Sequence, residues 1–493
     1  MLDVVVVGAG HNGLVAAARL ARAGRSVTVY EAAEVVGGAC RTEFPFERAP
    51  EVACSTGAYL LGLMPPELLA DLQITLPLRR RDPHYLLPAR RGRSALLLGA
   101  DEDANAAALS DVFGAQDAAA HARTGRLLAE LREDLGPSWL APALPLAETA
   151  ERYVRPALRK RYLDLVRGSA LEFLSGNGFR ADELIAMYAA TDGMPGSALA
   201  PDEPGTGHNL LVHSMCRLPA SKGTWMAVKG GMGTVSAALA DAVAAAGGQV
   251  VTGKLVTAIT ATQGAVDGVA FADGSTARAR AVVAAVDPHR LAGLASLPEL
   301  APRLEAWRTL PGMTFKLNLA LDRPPEFGVP LPGPGTTVHL LAAADGSYVG
   351  GLLDAYAQAR SGRLPSTVPL EVYVSAGLAT GVFVQPVPNQ IERGWAAGRD
   401  EVTETVLARV AAAAPGLSVR DRLALSPPDI ESRFGITTGH IFHVDNSVAT
   451  VDRMPCRTEL AGLYAGGAGT HPAGSVIGAA GWIAAGQVLH DLV

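Results

Sequence analysis

The sequence predicts an α/β protein whose mainly parallel, nucleotide-binding sheet is assembled from separate stretches of chain. Three observations predict it. A run of valines, Val4 to Val7, leads into the glycine turn Gly8-Ala9-Gly10-His11-Asn12-Gly13. A second strand, Ser26 to Glu31, follows a helical stretch and ends on an acid. Glycine turns beside apolar strand-like runs return at 229–286 and 462–488.

Each part of the opening unit has a physical task. Gly8 allows the tight turn out of the strand. Gly10 lacks a Cβ, so the backbone can approach a pyrophosphate, and Gly13 lets the helix pack closely on the sheet. The helix from Asn12 to about Ala23 aims its free N–H groups and positive dipole end at the phosphates. Glu31 stands 18 residues after Gly13, where a carboxylate accepts bonds from ribose hydroxyls and repels a 2′-phosphate. A G-x-G-x-x-G alone is weak evidence and also fits a βα turn that binds nothing. The strand, helix and acid in register point to a dinucleotide.

Downstream, Val36-Gly37-Gly38-Ala39-Cys40-Arg41-Thr42 forms a second glycine turn. Asp103 to about Leu135 and Glu151 to Phe173 read as helical, and Asp192 to Pro219 as long loops. After Lys229-Gly230-Gly231-Met232-Gly233 come a helix (Thr234 to Ala246), strands at 249–251 and 255–259, a hairpin and the buried strand Ala281 to Val286. Residues 312–322 alternate like a strand with Lys316 inside it, and Leu370 to Val374 is strand-like. Glu401 to Ala414 is helical, and a Gly/Ala-rich helix closes the chain. The expected division is 1–59, 221–292 and 436–493 in a nucleotide-binding domain, with 60–220 and 293–435 as a substrate-binding cap. The site is expected between them.

The 493 residues are 49% hydrophobic and 18% charged, with a formal net charge of −6, which describes a well-buried globular protein. No basic run points to nucleic acid or anionic lipid. No stretch reads as a membrane span, and the N-terminus lacks the basic region of a signal peptide, so a cytoplasmic protein is expected. Cys40, Cys54, Cys216 and Cys456 are scattered, as isolated thiols would be. Cys40 falls near the cofactor turn. No His or carboxylate cluster has metal-ligand spacing.

With these residues in place, the sequence resembles the FAD-dependent phytoene desaturase and carotenoid isomerase group of the amine-oxidase-like flavoproteins. It is similar in particular to the branch of pyridine nucleotide-disulfide oxidoreductase domain-containing flavoproteins. The resemblance covers nearly the whole chain. It is carried by Val7 to Ala17, by Trp225 to Gly233 with the following helix, and by Leu463 to Ala480, with Phe434-Gly435 and Ile441-Phe442-His443 in support. It implies FAD, and a Rossmann-like FAD-binding domain of the glutathione-reductase type interleaved with an α+β substrate domain. Gly8, Gly10 and Gly13 would face the pyrophosphate, Glu31 the adenosine ribose and Val256 the adenine. Gly37 and Gly38 would line the path to the flavin. Gly469 and Gly474-Ser475-Val476-Ile477 would sit beside the isoalloxazine. Ala9, His11, Asn12, Ala32, Ala39, Arg41, Thr42 and Gly467 complete the implied contact set. Two departures stand out: Ala39 follows the second glycine of the G-G turn where many relatives carry arginine, and no C-x-x-C or C-x4-C pair exists for disulfide chemistry.

Only one complete G-x-G-x-x-G unit is present, so no separate NAD(P)H domain is expected. Electrons would pass between FAD and substrate, then to or from oxygen, a quinone or a diffusible reductant. The leading expectation is desaturation, saturation or isomerisation of carbon–carbon bonds in an apolar polyene or isoprenoid, bound mainly by burial in an apolar tunnel. A peripheral membrane contact would deliver such a lipid. The alternative is amine or amino-acid oxidation, for which Lys316 would orient water at the flavin N5; pairing with an acid at the domain interface is the simpler role for that lysine. A third reading is a flavoprotein scaffold without turnover. His471, before Pro472, is the other catalytic candidate, with a structural role equally open. His208, His213 and Arg217 read as a solvated loop, with a cap over the substrate as the alternative, Trp225 as packing on the sheet, with substrate contact as the alternative, and Asp101-Glu102-Asp103 as a solvated helix start.

Overall fold

In a computed structural model, which describes residues 1–90, 92–331, 335–375 and 377–492, the chain folds around two large sheets. The first has five parallel strands in the order Gln249–Val251, Val27–Tyr30, Leu2–Val7, Thr276–Ala284 and Leu463–Ala465. Pairing sets Val4 beside Val27 and Ala281. Strand alternation then splits the valine run between two cores. Val4 and Val6 meet the helices His11–Arg22, Gly233–Ala245 and Ala479–Asp491. Val5 and Val7 meet Val256, Ile259, Val266 and Phe271. Burial on both faces explains why the run has no polar residue. Thr276–Ala284 links two pairing modes: its first residues lie antiparallel to Ala265–Phe271, itself antiparallel to Val256–Thr262, and from Ala279 it runs parallel to Leu2–Val7.

The second sheet has the order Val419–Leu425, Phe315–Leu321, Ala379–Val384, Leu370–Val374, Thr337–Leu340, Tyr85–Leu87, Leu96–Leu98. All of Phe315–Leu321 is buried. Phe315, Leu317, Leu319 and Leu321 join a core with Trp395, Val402, Val406 and Val410 of the helix Trp395–Ala413. Lys316 and Asn318 therefore face the other way, toward residues 55–57 and the first sheet. The same alternation in Leu370–Val374 sends Leu370, Val372 and Val374 into that core.

Three local expectations change. The helical stretch 103–135 is two helices, Glu102–Phe113 and Ala115–Leu135, broken where Gly114 takes φ +96°. The stretch 151–173 is likewise divided, among Leu146–Tyr153, Arg159–Arg167 and Ala170–Gly176. The segment 192–219 is not long loop throughout. It contains the helix Thr206–Ser214, most of it buried, whose polar residues tie the preceding turn down: Asn209 donates to the carbonyls of Gly193 and Pro195 at 3.0 Å. Polar residues there satisfy buried backbone rather than water.

Candidate FAD and substrate site

One cavity of about 640 Å³ begins at the carboxyl ends of the first sheet and continues between the two sheets. At its first end, backbone makes the walls. Gly8 holds φ +95°. A Cβ built on Gly10 would meet nothing within 4 Å, because it would project into the open space where a ligand approaches. A Cβ on Gly13 would run into the Gly8 carbonyl oxygen, so that glycine is required for helix–strand contact. His11 Nε2 and Asn12 Oδ1 are buried at this wall without a hydrogen-bond partner. Burial pushes the His11 pKa down to about 4, so the ring is neutral. The Glu31 carboxylate accepts from the Ala9 N–H at 2.7 Å and the Ala33 N–H at 2.9 Å, which leaves lone pairs toward the cavity for ribose hydroxyls. The Gly37 N–H donates to the Ala9 carbonyl at 2.8 Å and lays the second glycine turn against the first. A cradle of unhindered amides, orphaned polar atoms and one placed acid fits a dinucleotide.

Of the residues picked from sequence, Gly8, Gly10, His11, Asn12, Glu31, Ala32, Gly37, Gly38, Ala39, Val256, Ser475 and Val476 line this cavity. Others do not, and the packing says why. Arg41 turns to stack over Phe434 at 5.4 Å, and its Nε is buried without a partner. The Thr42 hydroxyl accepts from the Gly233 N–H at 2.9 Å and donates to the Gly230 carbonyl, so it holds the third glycine turn. A Cβ at Gly467, Gly469 or Gly474 would strike the Val286 carbonyl, Pro288 or Phe442, so these glycines serve close packing. Ile477 packs with Leu63 and Leu211 in the helical core. Arg453, 1% exposed, sets this loop by donating to the carbonyls of Val444, Asp445, Ala468 and Thr470.

The second end of the cavity is made by side chains. Lys316 lines it and, among the described residues, pairs with no acid: its ammonium donates to the Ser55 carbonyl at 3.0 Å and to the Gly57 carbonyl, 4.6 Å over the Tyr59 ring. Burial pulls its pKa down to about 8. The expected interface ion pair is thus replaced by carbonyl contacts. His471 is not at the cavity. Its Nε2 contacts the Ser138 carbonyl at 3.1 Å, and burial lowers its pKa to about 4, which is a structural role. His213, expected on a solvated loop, is 9% exposed, on the helix Thr206–Ser214, and lines the cavity beside Trp225. Trp225 lines it as well as packing on Gly62. Arg217 does lie apart, paired with Glu67 at 2.6 Å. Burial pushes the Cys40 thiol up to about 12, where it is inert.

Sequence reasoning missed Tyr59, Arg81, Asp192 and Glu371, all of which line the cavity. Glu371 carried a signal, as an acid at an alternating position of a buried strand. Arg81 ends the run Arg79-Arg80-Arg81 and looks like a solvated patch. Also missed was Asp287, at the end of the parallel strand, which accepts from the Thr437 hydroxyl at 2.6 Å and contacts His443 Nδ1 at 3.2 Å. Burial alone would raise its pKa; those hydrogen bonds outweigh it and hold the carboxylate ionised.

A parallel sheet with a glycine cradle at its carboxyl ends, and a buried compartment on the far side of the cofactor space, defines an FAD-binding oxidoreductase. Residues 13–379 match the family of flavin-containing amine oxidoreductases, and the chain belongs to that family. It is 31% identical to the mouse pyridine nucleotide-disulfide oxidoreductase domain-containing protein 2, over 99% of this chain and 94% of that protein. It is 29% identical to hydroxyneurosporene desaturase of Rhodobacter capsulatus, over 96% and 94%. Cyclohexylamine oxidase from Brevibacterium oxydans shares the fold, with a TM-score of 0.57 at 16% identity over 100% and 99% of the two chains. The cofactor is FAD.

Proposed function

We propose that this chain moves hydrogen between its flavin and a carbon–carbon bond of a long, mainly apolar substrate of the polyene or isoprenoid class, by desaturation, saturation or isomerisation. The observation that carries the reading is the continuation of the cavity past the cradle, where Leu60, Pro195, Trp225, Phe383, Ile441 and Phe442 form apolar walls. The similarity to hydroxyneurosporene desaturase over nearly the whole length of both chains supports it. At about 25 cal/mol per Å² of apolar area, such walls hold a carbon chain by burial alone.

FAD, when bound, supplies the two-electron acceptor or donor. The chain does the rest. The glycine turns and Glu31 hold the cofactor, and the apolar walls exclude water. Lys316, near pKa 8, takes up or returns the proton that accompanies hydrogen transfer. Electrons pass to or from oxygen, a quinone or a diffusible reductant. No helix among the described residues is long and apolar enough to cross a membrane.

One specific observation favours a second reading, amine oxidation: a buried lysine over an aromatic ring at the cofactor, in a chain of the amine oxidoreductase family. Mass spectrometry of the small molecules that copurify with the flavin-loaded protein separates the two. An isoprenoid or polyene supports the carbon–carbon reading, and a small polar amine overturns it.

A further inference from the structure

The end of the cavity farthest from the glycine cradle is walled by charge as well as by carbon. Arg81 is 1% exposed and lines it. Its Nε donates to the Trp225 carbonyl at 2.8 Å, and its Nη1 to the Thr337 hydroxyl at 2.9 Å and to the carbonyls of His84 and Gly335 at 3.2 Å. Every one of these acceptors is neutral, and among the described residues Arg81 has no ion-pair partner. A guanidinium held rigidly by neutral acceptors keeps its full charge inside the protein.

Two carboxyls share the space. Asp192 sits in the π-helical turn Ala189–Gly193, lines the cavity and makes no hydrogen bond to a described residue. A π-turn of this kind re-aims a side chain and recurs at functional sites. Glu371, 9% exposed, projects from Leu370–Val374 toward the same space, with His339 Nδ1 at 3.6 Å and the Thr191 hydroxyl beside it. His213, also 9% exposed and lining the cavity, leaves its Nε2 buried without a partner. An orphaned nitrogen, an unpartnered carboxyl and an uncompensated guanidinium are a polar site waiting for a ligand.

The sign of that ligand follows from charge balance. Burial raises the pKa of Asp192 to about 7 against the opposing pull of the Arg81 charge. Burial and then the Asp192 charge raise that of Glu371 to about 8. Burial and the Arg81 charge lower His339 to about 3, so its ring is neutral and does not compensate Glu371. Lys316, at the Tyr59 side, and Arg290, against Gly435, are the other Lys and Arg side chains lining the cavity among the described residues. Below about pH 7, where both acids hold their protons, the far end presents one fixed positive charge and two O–H donors. An ammonium would instead require both acids ionised side by side, against their mutual repulsion. A neutral polyene would leave Arg81 uncompensated.

We propose that this end of the cavity binds the carboxylate of the substrate, so that the natural ligand is an apolar carbon chain ending in a carboxylic acid. The proposal rests on reading the cavity as the substrate site of a carbon–carbon oxidoreductase. It concerns binding; no bond is made or broken at this end. Arg81 supplies the counter-charge, and Asp192 and Glu371 donate to the carboxylate oxygens.

The test is calorimetric titration of the FAD-loaded protein with decanoate and with decylamine, probes of equal chain length. At about pH 6 decanoate binds at least about tenfold more tightly than decylamine, and its affinity falls about tenfold or more by about pH 9 as the acids lose their protons. The double variant Asp192→Asn, Glu371→Gln keeps the donors without the titration, so it retains decanoate and flattens the pH dependence. Arg81→Gln weakens decanoate about tenfold or more. Tighter decylamine binding that strengthens with pH overturns the proposal in favour of an amine head. Equal, pH-independent affinities assign the cluster to structure and also overturn it. A holoprotein that binds neither probe, yet whose flavin is reduced by a neutral polyene, overturns the carboxylate and leaves the carbon–carbon reading standing. Failure of the protein to take up FAD removes that reading first.

Discussion

The two ends of the cavity are built by opposite means. The cradle is backbone: Gly8 and Gly37 make its tight turns, and Gly10 and Gly38 leave open space for a ligand that amides and one carboxylate hold. The far end is side chain: Tyr59, Arg81, Asp192 and Glu371 come from four distant segments and carry the charge. The difference teaches that a common cofactor is gripped by geometry any glycine pattern can encode, while a particular substrate is chosen by groups that only the assembled fold brings together.

Breaking each end separately sharpens the contrast. Gly10→Val fills the open cradle without touching the packing behind it. It should cost FAD affinity about a thousandfold or more while far-ultraviolet circular dichroism stays unchanged. Retention of flavin through purification would remove the cradle's role. On the substrate side, Lys316→Met should slow anaerobic flavin reduction about a hundredfold. The sign of the pH dependence follows from the lowered pKa: the neutral amine accumulates above about pH 8, so the wild-type rate rises through that pH and the variant loses the limb. An unchanged profile in stopped-flow would deny Lys316 a proton-transfer role. Arg453→Met strands four carbonyls in the loop that faces the cofactor. Chemical denaturation should find about 3 kcal/mol less stability, with flavin released before global unfolding. Smallest of all, His471→Gln should change the reduction rate by less than about threefold, since the ring contacts a carbonyl away from the cavity.

The same contrast explains what the sequence disclosed. Val4 to Val7 with Gly8, Gly10 and Gly13 was legible because strand, turn and close approach leave a backbone signature in local spacing. The strand-like alternation around Lys316 was legible too, and the fold sets that lysine on the face away from Phe315 and Leu317. Gly467, Gly469 and Gly474 misled, because a glycine needed for packing against Val286, Pro288 or Phe442 is indistinguishable in sequence from one that faces a cofactor. Asp192 and His213 were hidden in a stretch rich in Gly, Pro and polar residues. Its polarity is spent inside, as when Asn209 holds the carbonyls of Gly193 and Pro195. Arg81 was hidden by its neighbours, since three arginines in a row look solvated until the fold buries one.

Anaerobic mixing of the flavin-loaded protein with an isoprenoid or polyene substrate, against amines of matched carbon number, is the most direct trial of carbon–carbon chemistry over this flavin. The account predicts that the former changes the flavin's redox state, bleaching the oxidised protein by desaturation or restoring absorbance to the reduced protein by saturation, and that the amines do neither. Bleaching by amines alone would contradict it.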